Sequence, residues 1–271
     1  MAGVVLITGA SAGIGQACAQ RLDRNGWTVV GASRRGTTSA GSPMVMDVDD
    51  DDSVRTGVAR VVEEHKGLDA VVAGAGWGLA GAVELTPVAE AKDQFETNFW
   101  GAVRVVAEAL PVMRRQGRGR VVLISSIGGV VGLPFQAFYS ASKFAMEGYG
   151  EALAYEVAPF GIQVTLVQPG NVRTNFTAAR RDVGTPDPEG TYRAALAKAV
   201  GLMEKDEANG VDPDRVAAAV ERVLTASRPR RRVSVGKMDE RVGILAKRLL
   251  PFRIFETGAK GSLGCEGGPQ S

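Results

Sequence analysis

The chain has 271 residues with 32 Lys and Arg against 30 Asp and Glu, a formal charge of +2, so any basic patch must be local and a global nucleic-acid-binding field is excluded. An apolar fraction of 45% with 23% charged residues excludes a disordered, collagen-like or coiled-coil chain, and the length suits one large α/β domain. Two cysteines, Cys18 and Cys265, make no disulfide framework, and with the single His65 they are too few for a zinc site, so no metal is expected.

In chain order, short β-branched runs alternate with helical patterns. The runs are Val4 to Ile7, Thr28 to Val30, Met44 to Met46, Ala70 to Val72, Val121 to Ile124, Val164 to Val167 and a weaker Arg232 to Val235. Continuously apolar strands of this kind belong in a parallel sheet covered on both faces. The prediction is a Rossmann-type, doubly wound α/β domain with one seven-stranded parallel sheet, spanning residues 1–255. After the first strand, Ile14, Cys18 and Leu22 share one helix face and Asn25-Gly26 supplies a left-handed stop. Thr86-Pro87 reads as N-cap and first residue of a long helix ending near Gln116-Gly117. A helix from Phe138 to Val157 follows, and Val211-Asp212-Pro213 opens another. His65 sits at a polar helix end and reads as solvated. Residues 171–209, with Gly184, Pro186 and Pro188, look like a lid-type insertion after the sixth strand. The Gly-rich stretch 256–271 reads as a disordered tail. With no membrane-length apolar run and no basic leader ahead of the first strand, a cytoplasmic location is expected.

Three places carry chemistry. The first strand runs directly into Thr8-Gly9-Ala10-Ser11-Ala12-Gly13-Ile14-Gly15, where a helix begins inside the loop. Backbone N–H groups at a helix N-terminus, with no side chains at the glycines, let a pyrophosphate approach closely. The second strand ends Ser33-Arg34-Arg35, where an acidic residue would take the ribose 2′-hydroxyl of NAD. Ser33 can donate to a 2′-phosphate and Arg34 can pair with it, so NADP(H) is favoured. Third, Ile124-Ser125-Ser126 is followed by Tyr139-Ser140-Ala141-Ser142-Lys143, whose Tyr and Lys share one helix face. An ammonium beside a phenol is expected to lower the phenol's pKa, making Tyr139 an acid or base near neutrality.

The Gly-x-x-x-Gly-x-Gly loop, the upstream serine and the Tyr-x-x-x-Lys pair together resemble the classical short-chain dehydrogenase/reductase family over roughly residues 3–236, in the branch of steroid and retinoid dehydrogenases and bacterial ketone reductases. The resemblance implies Tyr139 as proton donor in carbonyl reduction, Ser126 as hydrogen-bond partner of the substrate oxygen with Ser125 as the competing serine, and Lys143 as pKa modulator and ribose ligand. It implies Asn98 as the holder of a water that links the lysine to solvent. Cofactor contacts follow at Gly9, Ser11, Gly13, Ile14, Gly15, Ser33, Arg34, Asp47, Val48, Ala73, Gly74 and Ala75, and after the sixth strand at Pro169, Gly170, Val172 and Thr174. The family's Asn-Asn-Ala-Gly is here Ala73-Gly74-Ala75-Gly76, which loses side-chain amides that brace the sheet.

The rim of the site is apolar, with Ile127, Val130, Val131, Leu133, Phe135, Phe138 and Phe176 around Gly128, and points to a bulky hydrophobic ketone or alcohol. The leading function is NADP(H)-dependent interconversion of carbonyl and alcohol, and the alternative is a non-catalytic NADP(H)-binding regulator. The resemblance also implies a homodimer or homotetramer through the two long helices. Residues 228–253 carry nine basic side chains against Asp239 and Glu240, and Val242 to Phe255 forms a basic amphipathic helix. Such a helix either packs on the sheet or lid or touches a membrane surface or a partner.

Overall fold

A computed structural model describes residues 3–183 and 187–262, with side chains as far as residue 257. The seven strands are β1 (Val4–Thr8), β2 (Thr28–Ser33), β3 (Ser42–Val45), β4 (Ala70–Ala73), β5 (Gly119–Ile124), β6 (Ile162–Pro169) and β7 (Arg232–Val235). They form one parallel sheet in the order β3-β2-β1-β4-β5-β6-β7, the predicted architecture. The chain reverses direction across the sheet between β1 and β4, and in such sheets the ligand crevice lies beyond the carboxyl ends of the strands at that switch point.

Two layers of helices cover the sheet. On one face α1 (Gly13–Arg24) packs beside α8 (Pro213–Thr225), with Cys18, Leu22, Val216 and Val220 against Val5, Ile7 and Val122. Burial raises the Cys18 thiol to about 12, so it behaves as an apolar filler. On the other face lie α2 (Asp51–His65), α4 (Gly101–Gln116) and α5 (Ala137–Glu156), whose Val58, Val106, Met113 and Met146 meet Leu6, Val71 and Leu123. Asp50 caps α2 by accepting from the Ser53 N–H at 2.6 Å, which accounts for the acidic run there. His65 ends α2 half-buried, its Nε2 shielded and unpartnered, and is not the solvated side chain the sequence suggested.

The long helix before β5 differs from expectation at its start and in its middle. Pro87, not Thr86, takes the cap position of α3 (Val88–Phe95), because the Thr86 hydroxyl donates to the Ala82 carbonyl at 2.7 Å. Between α3 and α4 the chain makes a π turn over Glu96–Trp100, the kind of local widening that often sits at functional sites. Its only fully buried side chain is Asn98.

The insertion after β6 is closed at its base by a bridge between Val172 and Val211. It contains the short α6 (Phe176–Ala179) and the longer α7 (Arg193–Ala208), and Arg181–Asp182 pairs in parallel with Leu79–Ala80. Gly184 and Pro186 lie outside the described residues. The tail departs from the sequence reading: α9 (Met238–Leu249) is followed by α10 (Phe252–Ser262), so residues 256–262 are helical and not irregular. The apolar spacing Phe252, Phe255 supports that helix, and the tail from 263 onward lies outside the described residues. Among the described residues no helix is long and apolar enough to cross a membrane.

Candidate active site

A cleft of about 840 Å³ runs along the carboxyl ends of the strands, from Arg34 at one end past Tyr139 to Leu250 and Phe255 at the other. Its first third is built on β1 and α1. Gly9 adopts φ +72°, and a Cβ at Gly15 would stand 2.4 Å from the Gly9 carbonyl oxygen, so the loop can close this tightly only without side chains. α1 starts at Gly13 with no side chain capping it, which leaves its first N–H groups facing the cleft. Ser11, Ile14, Asp47, Val48, Gly74 and Ala75 line the same stretch, whereas Ala73 stays within β4, buried. A dinucleotide's pyrophosphate fits this cradle: it is free of side chains, rich in open N–H donors and followed by a groove over β4.

The missing family amides have a visible replacement. The buried Thr8 hydroxyl accepts from the Gly74 and Ala75 N–H groups at 3.1 and 3.3 Å, bracing the loop from β1. Two residues further on, Asn98 clamps the main chain of Trp77: its Oδ1 accepts from the Trp77 N–H at 2.9 Å and its Nδ2 donates to the Trp77 carbonyl at 3.0 Å. Gln94 donates to the same carbonyl at 3.1 Å. Asn98 therefore stands behind the cleft wall with its amide engaged by the Trp77 main chain. A Cβ at Gly76 would lie 3.0 Å from Asn98 Oδ1 and 3.9 Å from Lys143 Nζ, so the glycine leaves a small gap between the two.

At the β2 end of the cleft the structure separates two side chains that the sequence grouped. Ser33 Oγ donates to the Thr37 carbonyl and accepts from the Thr37 N–H, both at 3.0 Å, so it closes its own loop. Arg34 lines the cleft and makes no hydrogen bond or ion pair among the described residues. Its charge is felt by Asp49, whose carboxyl burial holds above the usual range.

Tyr139, Lys143 and Ser126 meet at the centre of the cleft. α5 presents Tyr139 and Lys143 one turn apart, and Ser126 follows β5, its Oγ accepting from the Gly128 N–H at 3.0 Å. The Tyr139 phenol lines the same part of the cleft as the serine hydroxyl. Ser125, the competing serine, lines the cleft too, but its Oγ is buried without a partner. Lys143 Nζ donates to the Ile124 carbonyl at 2.8 Å and sits 5.9 Å from the centre of the Tyr139 ring. Burial pushes its pKa down to about 8, against the attraction of Glu147. The Tyr139 phenol is raised, chiefly by burial and opposed by the neighbouring Ser126 hydroxyl, with Glu207 of the insertion raising and Arg180 lowering it. The sequence argument for a lysine-lowered phenol is thus corrected for this arrangement: desolvation outweighs a cation that is aimed at a carbonyl.

The far third of the cleft is apolar. Phe176 rests 5.9 Å from the Tyr139 ring, and Ile127, Val131, Leu133 and Leu202 line the wall. Gly128 packs against Tyr139 behind that surface. Phe135 and Phe138 do not reach the cleft; Phe135 has φ +57° and its carbonyl accepts from the Gly81 N–H at 2.8 Å. The insertion after β6 is pinned by a buried ion pair, Arg180 to Glu207 at 2.7 Å, and by Arg181 over the Trp77 ring at 4.3 Å.

A model of the short chain dehydrogenases matches residues 3–183. The chain is 41% identical to a 3-ketodihydrosphingosine reductase of Bacteroides thetaiotaomicron, over 93% of this chain and 95% of that one. It is 36% identical to the retinol dehydrogenase 8 of Bos taurus, over 83% and 78% of the two. Among solved structures, a short-chain dehydrogenase from Streptomyces avermitilis superposes with a TM-score of 0.81 at 33% identity, covering 96% of this chain and 98% of that one. The chain belongs to the short-chain dehydrogenase family. It is an oxidoreductase of a family built around nicotinamide cofactors and small-molecule substrates.

Several residues of this short-chain dehydrogenase site escaped the sequence reading. Glu240, on the first turn of α9, accepts from the Asn171 N–H and Nδ2 and from the Lys237 N–H at 2.8, 2.7 and 2.7 Å. It thereby fastens α9 to the Pro169-Gly170-Asn171 loop, all of which lines the cleft together with Val172 and Thr174. The apolar end is completed by Ile244 of α9, Leu250 at its C-cap, and Ile254 and Phe255 of α10; the amphipathic pattern flagged Ile244 and Phe255 without saying what they cover.

Proposed function

We propose that the chain catalyses the NADPH-dependent reduction of a ketone or aldehyde carbonyl on a bulky hydrophobic substrate, and the reverse oxidation of the alcohol. The observation that carries this reading is the meeting of Tyr139, Ser126 and Lys143 where the glycine-lined and the apolar parts of one cleft join. A bound NADPH supplies a hydride to the carbonyl carbon. Tyr139 Oη then gives its proton to the carbonyl oxygen, which completes the alcohol, and the phenolate is reprotonated from solvent. Ser126, which lines the cleft beside the phenol, positions the same oxygen. Lys143, charged below about pH 8, stabilises the phenolate as it forms. The cofactor contacts expected at Gly9, Gly13, Ile14, Gly15, Asp47, Val48, Pro169, Gly170 and Thr174 all fall on the lining of the cleft and belong to this proposal.

The free Arg34 guanidinium and the absence of an acidic side chain at the end of β2 support NADP(H) over NAD(H). The relatives named for 3-ketodihydrosphingosine and retinol support a substrate with a long apolar chain beside its oxygen function, and a 3-keto sphingoid base is the first compound to try. A cytoplasmic setting, with its NADPH supply, fits this reading. Trp100 and Tyr155, exposed on the long helices, support the homo-oligomer expected there. The test is NADPH and NADH consumption against hydrophobic ketones, with Arg34→Asp beside the wild type. Loss of a charge-assisted phosphate contact should weaken NADPH by about ten- to a hundredfold and NADH little. Equal weakening would sink the cofactor assignment, and tight NADPH binding with no turnover of any carbonyl would favour a regulator.

A further inference from the structure

The C-terminal helices present two faces. The inner face of α9 and α10 closes the apolar end of the cleft through Ile244, Leu250, Ile254 and Phe255. The outer face carries Met238, Val242, Leu245 and Leu249, spaced four, three and four residues apart along one stripe of α9, and Phe252 continues it on α10. These five side chains are between 54% and 72% exposed. A monomeric surface scatters its exposed apolar residues, whereas a helical stripe of this kind marks something that lies against it.

The charge around the stripe selects the occupant. Lys237, Arg241 and Arg248 are exposed beside it without an ion pair among the described residues, and Arg253 is exposed on α10. Of the two acids on α9, Glu240 is already engaged with Asn171 and Lys237. Residues 237–253 hold five Lys and Arg against two acids, whereas Arg228 to Arg232 lead into the opposite end of β7, where Arg232 pairs with Glu147 and Glu151. An apolar stripe flanked by unpaired cations matches an anionic lipid interface better than a second copy of itself, whose facing stripe would bring the same cations together. No helix among the described residues can span a bilayer, so the contact is one of lying on the surface.

We propose that α9 and α10 dock the protein on an anionic lipid surface, with the stripe from Met238 to Phe252 in the interface and the apolar mouth of the cleft opening beside it. Each basic side chain near such a surface strengthens partition by about fivefold, and burial of two leucines by more than that. The docking explains how an apolar substrate could reach the cleft without crossing water, and in that respect it rests on the hydrophobic-substrate reading above. Its measurement does not, since vesicle binding needs no turnover.

The test is flotation of the full chain with phosphatidylcholine vesicles, with and without phosphatidylglycerol, for the wild type, Leu245→Glu/Leu249→Glu and Arg241→Glu/Arg248→Glu. Cofactor binding and thermal unfolding report that the variants are folded, since none of these four side chains lines the cleft. The proposal expects the wild type on phosphatidylglycerol vesicles and off neutral ones, binding that weakens with salt, and at least about a tenfold loss in each double variant. A wild type that ignores anionic vesicles overturns it, as do variants that float as the wild type does. If the leucine variant instead splits a larger assembly seen by light scattering while vesicles go unbound, the stripe is an interface between copies and the proposal fails.

Discussion

Replacing Lys143 with methionine should abolish reduction and yet make the protein more stable. The ammonium is buried and its pKa lies at about 8, against an ordinary 10.5. That difference corresponds to about 3 kcal/mol of penalty on the charged form in the folded state. The hydrogen bond from Nζ to the Ile124 carbonyl returns about 1 kcal/mol, which the variant loses. Glu147 keeps Arg232 at 2.8 Å and Gln168 at 2.9 Å, so it is not stranded by the change. The net expectation is a gain of about 2 kcal/mol at pH 7, or about 4 to 8 °C in the melting temperature for a chain of this size. The sign follows from linkage. At pH 7 the lysine is protonated both folded and unfolded, so the penalty is fully present. Above about pH 8 the folded lysine releases its proton while the unfolded one keeps it until 10.5, so the wild type gains stability with pH and the variant does not. The gap should therefore narrow by about 1.4 kcal/mol per pH unit above 8. Taking the difference between the two proteins cancels Cys18, whose raised thiol erodes stability above pH 9 in both. Urea denaturation from pH 7 to 10 measures the gap. A variant less stable than the wild type at pH 7, or a gap that does not move with pH, would refute the reasoning.

Thr8→Val leaves the Gly74 and Ala75 N–H groups without their acceptor, and should cost about 1 to 3 kcal/mol by urea denaturation. A loss below about 0.5 kcal/mol would mean that the loop after β4 is braced by other contacts. Glu240→Ala removes three accepted hydrogen bonds and frees α9 from the loop after β6, so NADPH should bind about tenfold more weakly while the unfolding midpoint of the sheet barely moves. Unchanged affinity in a fluorescence titration would contradict that link. Arg34→Asp should shift the ratio of NADPH to NADH utilisation, as set out above.

The sheet was legible because each strand is a short apolar run, and burial on both faces demands that pattern wherever it occurs. The glycine loop and the Tyr139 to Lys143 pair were legible for a related reason: their function depends on spacing within one element. What the sequence hid depends on contacts across the chain. Ser33 looked available for a phosphate until Thr37 was seen to take both sides of its hydroxyl. Phe135 and Phe138 sit next to Tyr139 in sequence but face elsewhere, while Ile254 and Phe255, more than a hundred residues away, close the cleft. The π turn at Asn98 has no propensity signature, since it is set by the fit of α3 and α4 around Trp77. The direction of the Tyr139 shift was misread because i, i+4 spacing fixes which groups are neighbours, and depth of burial decides which influence wins.

The central claim is that Tyr139 transfers the proton in an NADPH-dependent carbonyl reduction, and Tyr139→Phe tests it most directly. Phenylalanine keeps the ring beside Phe176 and loses only the hydroxyl, so NADPH affinity should be unchanged. The account predicts that ketone-dependent loss of NADPH absorbance falls by at least about a thousandfold. Turnover in the variant within a few-fold of the wild type would contradict it.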